Sequence, residues 1–311
     1  MSLKIKSNNY WTKGFFFIGA FSILILISIS YISIVKLNLN FNRKKCIRSI
    51  SEAQLSLVEN KLETSVQLLY LLSDFMDIYS QETNKDKKNN LLNDVLIDTK
   101  FYDIGFINLN GDVVTANNNY YDVKNKKFFY EIISGKKYYF EYEFDEQINE
   151  YIFYIAIPTY QDKKITGVIF AKEGASEVVG YCDHQENIGE MDKYILHSDG
   201  TIICKNNSSG FNIGENFFNE LNDYNKNNKI LDIQNKIKNK QSTINLLNYK
   251  DGSQIVSIYP IKYTEDFYSI TSVDSKLIKQ SVASIEKGSF ILIVLFLFLI
   301  EFSLFLLLVY K

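Results

Sequence analysis

The side chains best suited to chemistry lie close together: Cys182, His184, His197 and Cys204 place both histidines and two of the three cysteines within 23 residues. Thiolates and imidazoles are the common zinc donors. A Cys-x-His pair followed by a His, with a Cys seven positions on, nevertheless fits no zinc-binding spacing. A second reading is a disulfide between Cys182 and Cys204, which requires an oxidising exterior. A third leaves ordinary buried thiols and a hydrogen-bonded histidine, and all three stay open at this stage. A two-residue turn at Asp199-Gly200 would pair His197 with Ile202 and set Cys204 diagonally on the same face. Cys46 stands apart and at most cross-links two copies. No Gly-x-Ser-x-Gly, His-Glu-x-x-His or Gly-x-x-x-x-Gly-Lys occurs, and the carboxylates follow no catalytic pattern. Neither an enzyme nor a cofactor is therefore expected in this chain.

Glu301 is chemically conspicuous for a different reason, because it interrupts an otherwise uncharged run from Ser289 to Tyr310. A matching run covers the 22 residues from Gly14 to Val35, between Lys13 and Lys36. A bilayer core of about 30 Å takes about 20 apolar residues in a helix, so both runs are expected to span a membrane. A cleaved signal peptide shares the basic start of the first run, but the run is long for one and lacks a small-x-small cleavage site. A charge at the centre of a span costs about 2.5–3.5 kcal/mol on insertion scales, so Glu301 is either protonated or turned to a partner helix. Lysines and arginines flank the first run on both sides and leave sidedness undecided by charge. The chain has 34 Lys and Arg against 36 Asp and Glu, a net charge of −2 that offers no concentrated basic face for nucleic acid. Its 22 Tyr and 23 Phe beside a single Trp mean that any pocket is expected to be walled by rings.

Between the two runs the pattern changes twice. Ile47, Ile50, Val58, Leu62, Val66, Leu69, Leu72 and Met76 fall mostly three or four apart. That spacing predicts one amphipathic helix of about thirty residues, on the order of 45 Å long, serving as a core helix, a dimerising stalk or both. A polar break follows at Gln81 to Asn90, and strand-like patterning begins after it. Phe106-Ile-Asn-Leu-Asn-Gly-Asp-Val-Val114 reads as a hairpin about Asn110-Gly111, and Tyr194-Ile-Leu-His-Ser-Asp-Gly-Thr-Ile-Ile203 repeats it 89 residues on. Tyr151-Ile-Phe-Tyr-Ile-Ala-Ile-Pro158 and Gln254-Ile-Val-Ser-Ile-Tyr-Pro260 repeat as strands that close on the two prolines of the chain. A further strand follows each, from Ile165 to Ala171 and from Phe267 to Val273. A repeat of hairpin, helix and antiparallel strands implies an α+β fold of two modules in tandem.

The order and spacing of these pieces resemble the double Cache sensors, in which a long helix and two PAS-like modules stand between two membrane helices. The segments that carry the resemblance are Ile107-Asn-Leu-Asn-Gly-Asp-Val-Val114, Asp122-Val-Lys-Asn-Lys-Lys-Phe-Phe129 leading to Ser134-Gly135, Ile155-Ala-Ile-Pro158 and Gly167-Val168. It implies a cytoplasmic N-terminus at 1–13, membrane helices at 14–35 and 289–310, and a stalk helix and connection at 36–92. A membrane-distal module then covers 93–180, a membrane-proximal one 181–275 and a connecting helix 276–288, with residues 36–288 extracytoplasmic in a multi-pass protein of the cell membrane. Where amino-acid-binding members carry an Arg, two aromatics and acidic residues, this chain has Lys126, Phe128, Phe129, Glu131 and Lys172. Lysine lacks the two-pronged grip of arginine on a carboxylate. Lys126 and Lys172 are instead expected to hold a carboxylate or other small anion, with Phe128, Phe129, Tyr138, Tyr142 and Tyr154 as walls. The function implied is a homodimeric receptor's small-molecule sensor whose output, a diguanylate cyclase, histidine kinase or chemotaxis module, is absent from this chain. The alternative is a membrane-anchored surface protein that binds a protein or wall polymer without signalling.

Overall fold

The computed structural model describes residues 47–75, 85–117, 126–180, 191–206, 211–250 and 252–276, with scattered positions on either side of them. Residues 14–35 and 289–310 lie largely outside the described residues, as do Cys46, Met76, Cys182, His184 and Glu301. The positions described within those two stretches, among them Leu26, Tyr31, Ile291 and Phe298, are helical. Among the described residues no helix is long and apolar enough to cross a membrane. Arg48–Asp274 forms one compact unit.

Helix α1 runs through residues 48–75 of that unit. The 3.6-residue period puts Val58, Leu62, Val66, Leu69 and Leu72 on one buried stripe, as the spacing predicts. The polar break is only partly a break, because Lys85–Ile97 forms a second helix, α2, anchored by the fully buried Leu92. Its dense Lys and Asn content and thin apolar stripe hide it from a reading by periodicity.

The first module then builds β1 (Asp103–Asn108), β2 (Val113–Thr115), α3 (Lys127–Ile133), β3 (Tyr139–Asp145), β4 (Glu150–Gln161) and β5 (Lys164–Gly174). After α4 (Ala175–Gly180), the second has β6 (Met191–His197), β7 (Ile202–Lys205), α5 (Phe217–Asn222), α6 (Asn227–Lys238), β8 (Thr243–Tyr249), β9 (Gly252–Pro260) and β10 (Phe267–Asp274). The antiparallel sheets have the same order, β2-β1-β5-β4-β3 and β7-β6-β10-β9-β8. The expected α+β fold of two tandem modules behind a long helix is the fold observed.

Two local expectations change. Both hairpins close on three-residue loops: Asn108 N–H donates to Asp112 O at 3.0 Å and His197 N–H to Thr201 O at 2.9 Å. Gly111 and Gly200 supply the left-handed residue, at φ 85° and 98°, that such a loop needs before the second strand. Ile202 therefore pairs with Leu196, and Cys204 with Ile195 after a register shift, rather than Ile202 with His197. Pro158 is also no strand end, since β4 continues to Gln161. It pairs with Val168 on the β5 side, while β3 pairs with β4 only from Ala156 back to Glu150. The missing N–H thus meets an edge with no neighbouring strand to bond. Pro260 does end β9.

One face of the first sheet packs with α1, joining Ile155, Ile157, Ile169 and Ala171 to Leu62, Val66 and Leu69. The opposite face, with Tyr154, Ala156, Val168 and Phe170, packs with Phe128, Phe129 and Ile132 of α3.

Candidate functional site

The α3-covered face of the first sheet brings the sequence-selected residues together in part. Across its strands Asp103, Lys172, Tyr154 and Glu141 stand in one register row. Because side chains alternate along a strand, Glu143 and Asp145 join Glu141 on that face, and Phe170 joins Lys172. Lys126 enters from the N-cap of α3, where its extended backbone turns into the helix. Phe128 is fully buried and stacks on Tyr154 with ring centroids 5.4 Å apart at 21°. Phe170 closes the ring cluster, 5.6 Å from Phe128 and 6.2 Å from Tyr154. The close fit needs Gly105, where an added Cβ would come within 2.5 Å of the Phe170 ring.

The two lysines converge on one ring. Lys126 Nζ lies 5.1 Å and Lys172 Nζ 5.6 Å from the Tyr154 centroid, within reach of cation–π attraction. Each also meets a carboxylate: Lys126 with Glu143 at 2.5 Å, and Lys172 with Asp145 at 3.7 Å. Glu141 accepts the N–H of Phe128 at 2.7 Å and so fixes the first turn of α3. Asp103, almost wholly buried, accepts the N–H groups of Ile104 at 2.9 Å and Asn117 at 3.3 Å. The face can engage an anionic group through its lysines and a cationic one through its β3 carboxylates. The carboxylates were missed in the sequence, although Tyr139-Phe-Glu-Tyr-Glu-Phe-Asp145 alternates ring and acid with the period of a strand.

Tyr138 and Tyr142 are not on this face. Tyr142 has the opposite parity on β3 and lies with its centroid 4.9 Å from His197 and 5.5 Å from Phe267 of the second module. Burial, with Asp199 nearby, pushes its hydroxyl up to about 12. Tyr138 sits edge-on to Tyr263, 6.2 Å away. Phe129 is buried beneath α3, and Glu131 pairs with Lys136 at 3.1 Å rather than with either Lys126 or Lys172.

Cys204 is fully buried within the core that α1 shares with both modules. His197 Nδ1 is 3.0 Å from Asp199 Oδ1. Burial raises that carboxyl, yet hydrogen bonds from Thr201 and His197 outweigh it and hold Asp199 below its ordinary range. Among the described residues no cluster of His, Cys, Asp and Glu could hold a metal ion. The partners proposed for His197 and Cys204, namely Cys182 and His184, lie outside the described residues.

Solved structures share this architecture. The ligand-binding domain of the Pseudomonas aeruginosa PAO1 amino acid chemoreceptor PctB in complex with L-Arg has a TM-score of 0.57 at 18% identity, covering 75% of this chain and 95% of that one. For the ligand-binding domain of the Pseudomonas fluorescens chemoreceptor CtaA with L-serine the TM-score is 0.60 at 14% identity, over 76% and 99% of the two chains. Residues 48–274 have the double Cache fold. The sensory domain of the Campylobacter jejuni chemoreceptor Tlp3 with isoleucine bound has it too, at a TM-score of 0.57 and 12% identity over 79% and 98%. No family model and no curated protein matches the chain. At these identities the double Cache likeness speaks for the fold and leaves ligand and output to be argued from the residues.

Proposed function

We propose that the chain is the extracytoplasmic sensing part of a bacterial transmembrane receptor, and that it binds a small carboxylate-bearing molecule on the α3-covered face of the first module. The observation that carries this reading is the convergence of Lys126 and Lys172 on the Tyr154 ring, inside a cluster of Phe128 and Phe170. Few polar groups among many rings is the usual make-up of a small-ligand site. The neighbours in fold were solved with amino acids bound, which supports a ligand of similar size. A free organic acid would use the lysines alone, whereas an amino acid would also bring its ammonium to Glu141, Glu143 or Asp145.

The two 22-residue uncharged or nearly uncharged runs support a membrane anchor at each end, with 36–288 outside the cell. Homodimerisation along α1 and a cytoplasmic output, most readily a diguanylate cyclase, complete the proposal. Ligand shifts such a receptor only through its differential affinity for two conformations.

Thermal-shift and titration calorimetry of the full chain against a panel of organic acids and amino acids test the site. A saturable hit is expected whose affinity falls by about tenfold or more in Lys126→Gln, the usual scale for losing a hydrogen bond to a charged group. Retention of that hit in both Lys126→Gln and Lys172→Gln would remove the site from this face. Preference for amines over plain acids would move the ligand from anion to zwitterion.

A further inference from the structure

A concavity of about 720 Å³ lies between the two modules, touching the α3-covered face only at its edge through Lys127, Tyr139 and Glu141 and containing neither Lys126 nor Lys172. Its floor is aromatic: Tyr138, Tyr142, Tyr263 and Phe267 meet there edge to face. Five lysines and three carboxylates line it, leaving an excess of positive charge. Lys136 spends its charge on Glu131 and Glu265. Lys137, Lys240 and Lys262 form no ion pair among the described residues.

Lys137 belongs to the first module, just before β3, while Lys240 follows α6 and Lys262 lies between β9 and β10 of the second. Lys240 is held with a left-handed backbone, φ 52°, at the end of its helix. Such a backbone is uncommon outside glycine and asparagine. Glu265 and Asp266 draw on Lys240 and Lys127 as well as Lys136, yet five lysines against three carboxylates leave two cations in excess, and a cleft with low-dielectric walls focuses their field. An anion of matching size would offset that excess and cover the rings.

We infer that this cleft is a second binding site, for a small organic anion with at least two negative charges, such as a tricarboxylate or a sugar phosphate. Its occupant touches both modules at once. Occupancy therefore tightens the junction that the Lys136–Glu265 pair already bridges, whatever ligand the first module takes.

Calorimetry of the full chain with citrate and with ribose 5-phosphate tests this at low salt, where exposed charges are least screened. Saturable binding of either is expected. Its affinity should fall at least about tenfold in Lys240→Gln/Lys262→Gln and stay unchanged in Lys126→Gln. The tighter of the two probes tells carboxylate from phosphate as the recognised group. Lys240 and Lys262 are exposed, so the double variant is expected to keep the parental melting temperature. The cleft is excluded as a site if neither probe binds below a Kd of about 1 mM, if the double variant binds as well as the parent, or if Lys126→Gln abolishes binding. The last two results relocate the anion and leave the first-module ligand to its own titration.

Discussion

The two modules have one topology and opposite uses for it. Asp103, Lys172, Tyr154 and Glu141 form a register row in the first sheet, and Asp192, Ser272, Val256 and Asn245 form the corresponding row in the second. Glu143 and Asp145 have Leu247 and Tyr249 as counterparts along the edge strand. In the first module the row carries charge over a ring cluster roofed by the short α3. In the second, Val256 and Ser272 are buried, and α5 and α6 pack Phe217, Leu221, Ile230 and Ile233 onto the same face. Both faces are packed, the first with rings beneath a charged row and the second with aliphatic and aromatic side chains. The lesson is that one sheet topology supports a charged row in one copy and a mostly uncharged one in the other.

The sharpest way to break this comparison is to exchange the rows. Ser272→Lys sets an ammonium among Leu247, Tyr249 and Val256, and is expected to cost more than about 3 kcal/mol, because the packed face leaves no room for the longer side chain and desolvating its charge outweighs the attraction of Asp192 across the row. Lys172→Ser should cost less, about 1–2 kcal/mol, because the shorter side chain leaves no overpacking and Asp145, a quarter exposed, can turn to water. Chemical denaturation of both variants checks this, and equal losses would mean that the two faces are equally open.

The opposite faces differ as well. Glu173, fully buried on β5, pairs with Lys61 of α1 and accepts the Ser65 hydroxyl at 3.0 Å. Its counterpart on β10 is Val273, and there α1 is held by a hydrogen bond between the hydroxyls of Ser51 and Ser257. Lys61→Met leaves Glu173 uncompensated and is expected to destabilise by about 3 kcal/mol, with Lys61→Met/Glu173→Leu recovering most of it. Ser51→Ala should cost only about 1 kcal/mol, a shift of about 2–4 °C in melting temperature. If the two single variants lose the same amount, α1 grips both modules alike and the contrast fails.

The smallest effect is expected at the junction. The hydrogen bond from Lys136 holds Glu265 below its ordinary 4.5, and the same contact raises Lys136 above its ordinary 10.5. A carboxyl depressed in the folded state contributes fully above about 4.5 and loses its contribution as pH falls through the folded value. The raised lysine contributes fully below about 10.5 and loses its contribution as pH rises through its folded value. Both groups are largely solvated, so the pair is expected to add less than about 1 kcal/mol. Melting curves of the parent and Glu265→Gln should differ slightly near pH 7 and merge under acid; a constant offset would show that the pair does not titrate as a bridge.

Much of this was legible in the sequence where a period ran long enough to read. The α1 stripe, the two Gly-centred hairpins and the repeated strands before the prolines follow from side-chain spacing and survive in the fold. What was hidden depends on which face a strand turns. Tyr142 and Glu143 are adjacent in the chain and lie on opposite sides of β3, so nearness in sequence groups Tyr142 with the lysines and hides the acid. α2 was concealed by its polar composition. The loop lengths were concealed because Asn-Gly and Asp-Gly suit both two- and three-residue turns.

Lys172 and Glu173 are neighbours on one strand, one turned to the ring cluster and the other to α1. On the proposed function, recognition and transmission would be separate alphabets written on alternate letters of the same strand. Even-numbered positions of β5 can be respelled for a new ligand while the odd-numbered ones keep their grip on the helix. A shift of the shared peptide unit is still felt on both sides. Substitutions on one side of β5 are thereby separated from the contacts that hold α1 on the other.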